Sequence, residues 1–187
     1  MTRLTIAKQT RVAVLLGSYR SGSLNRRIAE HLRDHAPAGV TVDVVEGIET
    51  IPFYNEEIDG ATAPASATAL RDAVASADRV LAVTPEYNGT MPAVLNNAID
   101  WLSRPYGQGA IVGKPFAAIG ATPTPYGGKW SHEHARHSAT IAGAVVVEGI
   151  VVDESAIEGD PLANEAAVQR FLGALDALVA HEVEVAA

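Results

Sequence analysis

Residues 11–25 read RVAVLLGSYRSGSLN, and the fold follows from this stretch. An apolar run opened by Arg11 and stopped by Gly17 has the length and composition of a strand buried on both faces. From Ser23 onward the period changes. Leu24, Ile28 and Leu32 recur every four residues, which predicts an amphipathic helix over residues 23–35. Between strand and helix lies a short turn rich in serine and glycine, with Tyr19 and Arg20 inside it.

The same alternation continues along the chain. Residues 40–45 alternate and β-branch as a strand, and residues 65–76 align Leu70 with Val74 on a helix. Residues 78–84 read as a third strand stopped by Pro85. Residues 92–102 place Leu95, Ile99 and Leu102 on one helical face, with Pro92 at the first turn. A fourth strand is expected over residues 115–120, a helix over 128–141, and a fifth strand over 144–152 with a break at Gly149. A closing helix spans residues 161–181. Repeated strand–helix units imply an α/β fold, a three-layer doubly wound parallel sheet. With five strands the flavodoxin-like order 2-1-3-4-5 fits better than a six-stranded dinucleotide fold. One domain over residues 1–187 is expected, with residues 1–10 as a short extension.

Of the 187 residues 48% are apolar and 19% charged, enough for a core and too few charges for a disordered chain. The absence of cysteine excludes disulfides, thiolate nucleophiles and iron–sulfur clusters. A net charge of −8 with no run of Lys or Arg argues against nucleic acid as a partner. Residues 1–10 lack the apolar stretch of a signal peptide, and no segment reaches about 18 apolar residues. A soluble cytoplasmic protein without a membrane partner is expected.

In such a sheet, ligands bind outside the carboxyl ends of the strands, where the strand order reverses. The loop after the first strand holds Ser18, Arg20, Ser23 and Asn25 and opens a helix. A helix N-terminus offers unpaired N–H groups and partial positive charge to a phosphate. The bland alternative is an ordinary turn capped by Ser23. Neither a G-x-G-x-x-G nor a P-loop pattern is present, so a single terminal phosphate fits better than a pyrophosphate. The loop after the third strand contains Pro85, Glu86, Tyr87, Asn88, Gly89 and Pro92. Its prolines stiffen it, and a stiff backbone beside a tyrosine can read the edge of a flat ring. The loop after the fourth strand carries Thr122 and the pair Gly127-Gly128, which permit close approach of a ligand or simply make a turn.

Gly17-Ser18-x-Arg20-x-x-Ser23-x-Asn25 resembles the first motif of the NADPH-dependent FMN reductases. Pro85-Glu86-Tyr87-Asn88, followed by Pro92, Leu95 and Asn97-Ala98-Ile99-Asp100-Trp101-Leu102-Ser103-Arg104, resembles that family's signature segment. The resemblance covers most of residues 11–150. It implies FMN as cofactor, NADPH or NADH as reductant, and a small electron acceptor such as a quinone, chromate, an azo compound or free flavin. It implies that Ser18, Arg20, Ser23, Leu24 and Asn25 hold the phosphate end. Pro85, Glu86, Tyr87 and Asn88 would line the ring and ribityl chain, with Thr122 and Gly127 on the third loop. The chemistry would belong to the flavin, so no catalytic side chain is assigned, and Glu86 reads as a structural carboxylate. A homodimer or homotetramer is also implied. Alternatives of the same cofactor class are a flavodoxin-type electron carrier and a reductase that supplies reduced FMN to a partner monooxygenase. Departures from the family pattern are Asn96, where relatives often carry Lys, Thr124, and the bulky Tyr126 and Trp130.

Four further features stand outside this reading. His132, His134 and His137 share a helix with Glu133, but nothing completes a coordination sphere, so no metal site is expected and the helix reads as solvated or subunit-facing. The acidic stretch Asp153, Glu154, Glu158 and Asp160 reads as a solvated loop. Phe53 and Tyr54 either fill the core or cover the ligand or a subunit contact. Trp101 belongs either to the core or to a subunit interface.

Overall fold

The computed structural model describes residues 9–182. Strand β1 (Thr10–Leu16) leads through the Ser/Gly turn into helix α1 (Leu24–Asp34). Ser23 caps this helix by accepting from the Arg26 N–H, as hydroxyl residues do at that position. There follow β2 (Val40–Val44), α2 (Ala65–Ala75), β3 (Arg79–Val83), α3 (Ala93–Leu102), β4 (Pro115–Thr122) and α4 (Lys129–Ile141). Two short strands, β5 (Val145–Val146) and β6 (Val152–Ser155), precede α5 (Glu165–Ala180). The extension expected over residues 1–10 lies outside the described residues except for Gln9 and Thr10, and Thr10 is already paired with Val40 in the sheet.

The sheet is parallel throughout, in the order β2-β1-β3-β4-β5, and β6 also pairs with β4. The order matches the sequence expectation; the fifth position differs. One broken strand was expected there, and two separate strands fill it. The chain pairs with the start of β4 at Pro115 and Phe116, leaves the ladder in a turn closed by Ile150 N–H to the Val147 carbonyl, and rejoins β4 along residues 119–122. The second contact moves the strand's end forward, from residue 152 to Ser155, and so turns the expected loop residues Asp153 and Glu154 into strand residues.

Alternation along the strands divides the core. Val12, Val14 and Leu16 of β1 face α1 and α5, meeting Ile28, Leu32, Phe171 and Leu175. Ala13 and Leu15 face α2, α3 and α4, meeting Leu70, Val74, Leu95 and Trp101. Both faces of the sheet are therefore covered, which is why its central strands read as continuous apolar runs. Trp101 is fully buried and donates its indole N–H to the Pro52 carbonyl at 2.9 Å, so it is a core residue. Tyr54 packs edge-on against it, while Phe53 stays exposed. Among the described residues no helix is long and apolar enough to cross a membrane.

Candidate active site

The order 2-1-3 reverses direction between β1 and β3, and a cleft opens there at the carboxyl ends of the strands. Its volume is about 540 Å³. Ser18, Arg20, Ser23, Leu24, Asn25, Pro85, Glu86, Tyr87 and Thr122 all line it, so nine of the sequence-derived site residues converge from three loops.

On one side lies the N-terminus of α1. The first N–H groups of a helix have no partner within it. Ser23 Oγ accepts from Arg26 N–H, which leaves the serine hydroxyl proton free to donate into the cleft. Arg20 is exposed, and its bond to the Ser21 carbonyl is long at 3.5 Å. Asn25 takes a different part from the one expected. Its amide donates to the Ala121 carbonyl and accepts from the Ala121 N–H, both at 2.9 Å, so its side chain ties α1 to β4. Its backbone lies on the first turn of α1.

On the other side is the loop after β3. Tyr87 and Thr90 exchange backbone hydrogen bonds across Asn88 (φ 52°) and Gly89 (φ 72°). This is the two-residue hairpin that an Asn-Gly pair favours, because both central residues need positive φ. Asn88 sits at the exposed tip and does not line the cleft. Behind the hairpin the loop is pinned residue by residue. The Pro85 carbonyl accepts from the Ser131 hydroxyl at 2.8 Å, and the Glu86 N–H donates to Thr122 Oγ1 at 2.9 Å. The Glu86 carboxylate accepts from the backbone N–H groups of Trp130 and Ser131 at 3.0 and 3.3 Å. It thus caps α4, whose own N-cap residue, Gly128, offers no side chain. Ser18 Oγ and the Tyr87 hydroxyl lie 3.4 Å apart and link the two sides.

Gly127 also departs from expectation. It does not line the cleft. A Cβ there would stand 2.2 Å from the Asp153 carbonyl oxygen, and its φ is +63°, so the close approach it permits is to β6 rather than to a ligand. The histidine-bearing helix is likewise not wholly solvated. His134 is exposed and bonds Thr90 Oγ1, but His132 is completely buried. Its Nδ1 lies 2.5 Å from Asp153 Oδ1, and its Nε2 lies 3.0 Å from the Thr84 carbonyl oxygen. Glu154, the next of the supposed loop acids, accepts two bonds, from Nε and Nη2 of Arg170 on α5. Among the described residues no three His, Asp or Glu side chains are grouped to hold a metal ion.

The sequence reading missed one wall of the cleft. Residues 156, 159 and 160, beyond β6, line it together with Arg27, Pro123 and Thr124. Arg27 reaches across to Asp160 with a 2.5 Å contact, and Asp160 also caps the short 3-10 helix Pro161–Ala163. The pairing of Asp160 with Pro161 was a visible helix-start signal, but nothing in the sequence tied it to this cleft.

Residues 10–157 match the family model of NADPH-dependent FMN reductase. The chain belongs to that family. A quinone reductase of Pseudomonas putida is 43% identical over 127 residues, 68% of each chain. A 2-hydroxy-1,4-benzoquinone reductase from a Burkholderia species is 41% identical over 126 residues, 67% of this chain and 68% of its own. Among solved structures, the flavoenzyme NAD(P)H:(acceptor) oxidoreductase FerB from Paracoccus denitrificans superposes with a TM-score of 0.80 at 32% identity, covering 91% of this chain and 95% of that one. The family's cofactor is FMN and its reductant a nicotinamide nucleotide, and the residues of this chain suit that cofactor. Thr124 lines the cleft, and its hydroxyl is buried without a hydrogen-bond partner. Such an atom is costly unless a ligand or water satisfies it. The donor set around α1 suits a phosphate, and the stiff Pro85–Tyr87 backbone suits a planar ring.

Proposed function

We propose that this member of the family binds FMN in the cleft between β1, β3 and β4, and that it passes reducing equivalents from NAD(P)H to a small quinone-type acceptor. The observation that carries this reading is the convergence of an anion-binding helix terminus and a rigid, aromatic-bearing loop on one cleft of about 540 Å³. FMN held there would supply the hydride-accepting and electron-donating chemistry that the chain's own side chains lack. The chain's residues bind and orient it. Arg20 and the hydroxyls of Ser18 and Ser23 hold the phosphate, aided by the N–H groups of Leu24 and Asn25. The Thr122 hydroxyl, which accepts from Glu86 N–H, keeps its proton for the ring edge. Backbone N–H groups in the third loop favour negative charge on the ring. Glu86 takes no part as an acid or base, because its carboxylate is held by the α4 terminus. Tyr87 is half exposed at the rim, where a second flat molecule has room to stack.

Residues 1–187 act as one flavin-binding domain in this reading, and the use of a nicotinamide reductant supports a cytoplasmic setting. Exposed Phe53, Tyr106 and Ile141 line two surface hollows that meet at Asp100 of α3 and share no residue with the cleft, which supports a homo-oligomer built through that surface. The test is direct. Protein mixed with FMN and passed through gel filtration is expected to retain the flavin absorption band and to oxidise NADPH or NADH when a quinone is added. Protein that emerges colourless and oxidises neither nucleotide refutes the assignment.

A further inference from the structure

The imidazole of His132 is sealed inside the protein, with both nitrogens engaged. A carbonyl oxygen only accepts, so the proton facing Thr84 must sit on Nε2. Nδ1 faces the Asp153 carboxylate at 2.5 Å, a contact that needs one further proton on either partner. Thr84 is the residue at which β3 leaves the sheet. Its N–H still bonds the Ile119 carbonyl, but its own carbonyl turns to His132. Two glycines pack closely against it. A Cβ on Gly17 would lie 1.9 Å from Thr84 Oγ1, and a Cβ on Gly120 would lie 2.2 Å from the Thr84 carbonyl oxygen. The next two residues, Pro85 and Glu86, are the ones that line the cleft.

We propose that His132 and Asp153 are a positioning pair that fixes the Thr84–Pro85–Glu86 backbone and thereby sets how tightly the ring end of the flavin is held. Asp153 fixes the tautomer, His132 donates to Thr84, and the loop is presented in one conformation. The inference rests on the flavin reading above, with the ring against this loop and the phosphate at α1. It differs from the helix-capping role of Glu86, because it acts on the backbone where the loop begins, through a buried imidazole of α4 held by a carboxylate of β6.

The experiment compares FMN with riboflavin, which lacks the phosphate, by fluorescence titration of the full chain, and adds the midpoint potential of the bound flavin. His132→Ala leaves the Thr84 carbonyl and Asp153 without partners. It is expected to weaken both flavins equally, by about tenfold, and to shift the potential. His132→Gln, whose amide still reaches Thr84, is expected to restore most of the loss. If His132→Ala does not fold, Asp153→Asn and Asp153→Leu carry the test. Asparagine donates to Nδ1 and keeps the Nε2 proton on Thr84, so binding is retained; leucine frees the tautomer, and both flavins are expected to weaken severalfold. Unchanged affinities and potential in a less stable His132→Ala protein overturn the proposal. A larger loss for FMN than for riboflavin, or equal behaviour of the two Asp153 variants, does the same. Wild-type protein that takes up neither flavin instead defeats the underlying flavin reading, an outcome the variants alone cannot produce.

Discussion

Replacing Arg20 by alanine separates recognition of the phosphate from recognition of the ring. Arg20 is exposed, and the bond it makes, to the Ser21 carbonyl, is 3.5 Å long. Its removal should therefore change fold stability by no more than about 0.5 kcal/mol. A charge-assisted hydrogen bond is worth about 1.5–3 kcal/mol, and an exposed guanidinium belongs at the lower end. At about 1.4 kcal/mol per decade, the dissociation constant for FMN should rise roughly tenfold. Arg27, the other guanidinium at the cleft, is held by Asp160 and so is poorly placed to compensate. Riboflavin carries no phosphate, so its affinity should stay within about twofold of wild type. The assay is quenching of flavin fluorescence at fixed ionic strength, repeated at higher salt, where screening should narrow the gap between wild type and variant for FMN alone. Equal weakening of both flavins, or none in either, would refute the placement of the phosphate at α1.

Two predictions concern the scaffold. Gly127→Ala places a Cβ against the Asp153 carbonyl at positive φ and should cost at least about 2 kcal/mol in urea denaturation, whereas Gly89→Ala, at φ 72° with open space around it, should cost about 1 kcal/mol; equal midpoints would contradict the close packing of loop and β6. Arg71 grips the Asp59 carboxylate with two bonds of 2.7 and 2.8 Å and pulls its pKa down to about 2. A carboxyl lowered on folding contributes stability above its ordinary pKa and loses it as pH falls through the lowered value. The acid limb of the stability curve should therefore steepen between about pH 4 and pH 2, and Asp59→Asn should flatten it.

The strands and helices were legible because the central strands β1, β3 and β4 are buried on both faces and each helix on one, so period and composition carry the signal. The switch-point loops were legible for the same reason: the strand order fixes which loops meet. The bonds made inside that rim were hidden. Asn25 reads as a phosphate donor by type, yet its amide completes the end of β4. Gly127 reads as room for a ligand, yet the room is taken by β6. The burial of His132 did leave a trace, since Ala135 and Ala139 follow it three and seven residues on and share its buried face. The weight of three histidines on one helix obscured that stripe. The split of the fifth position depends on where β4 offers free edge, which no single segment encodes.

The chain has two tryptophans, and they occupy opposite environments. Trp101 is sealed in the interior, whereas Trp130 is 39% exposed, touches Tyr126 and lies one bond from Glu86. Indole emission from this molecule thus has a built-in division of labour. The bluer component follows the integrity of the scaffold, and the redder one, beside the cleft, responds when an absorbing guest arrives, so occupancy and unfolding can be watched separately without any dye.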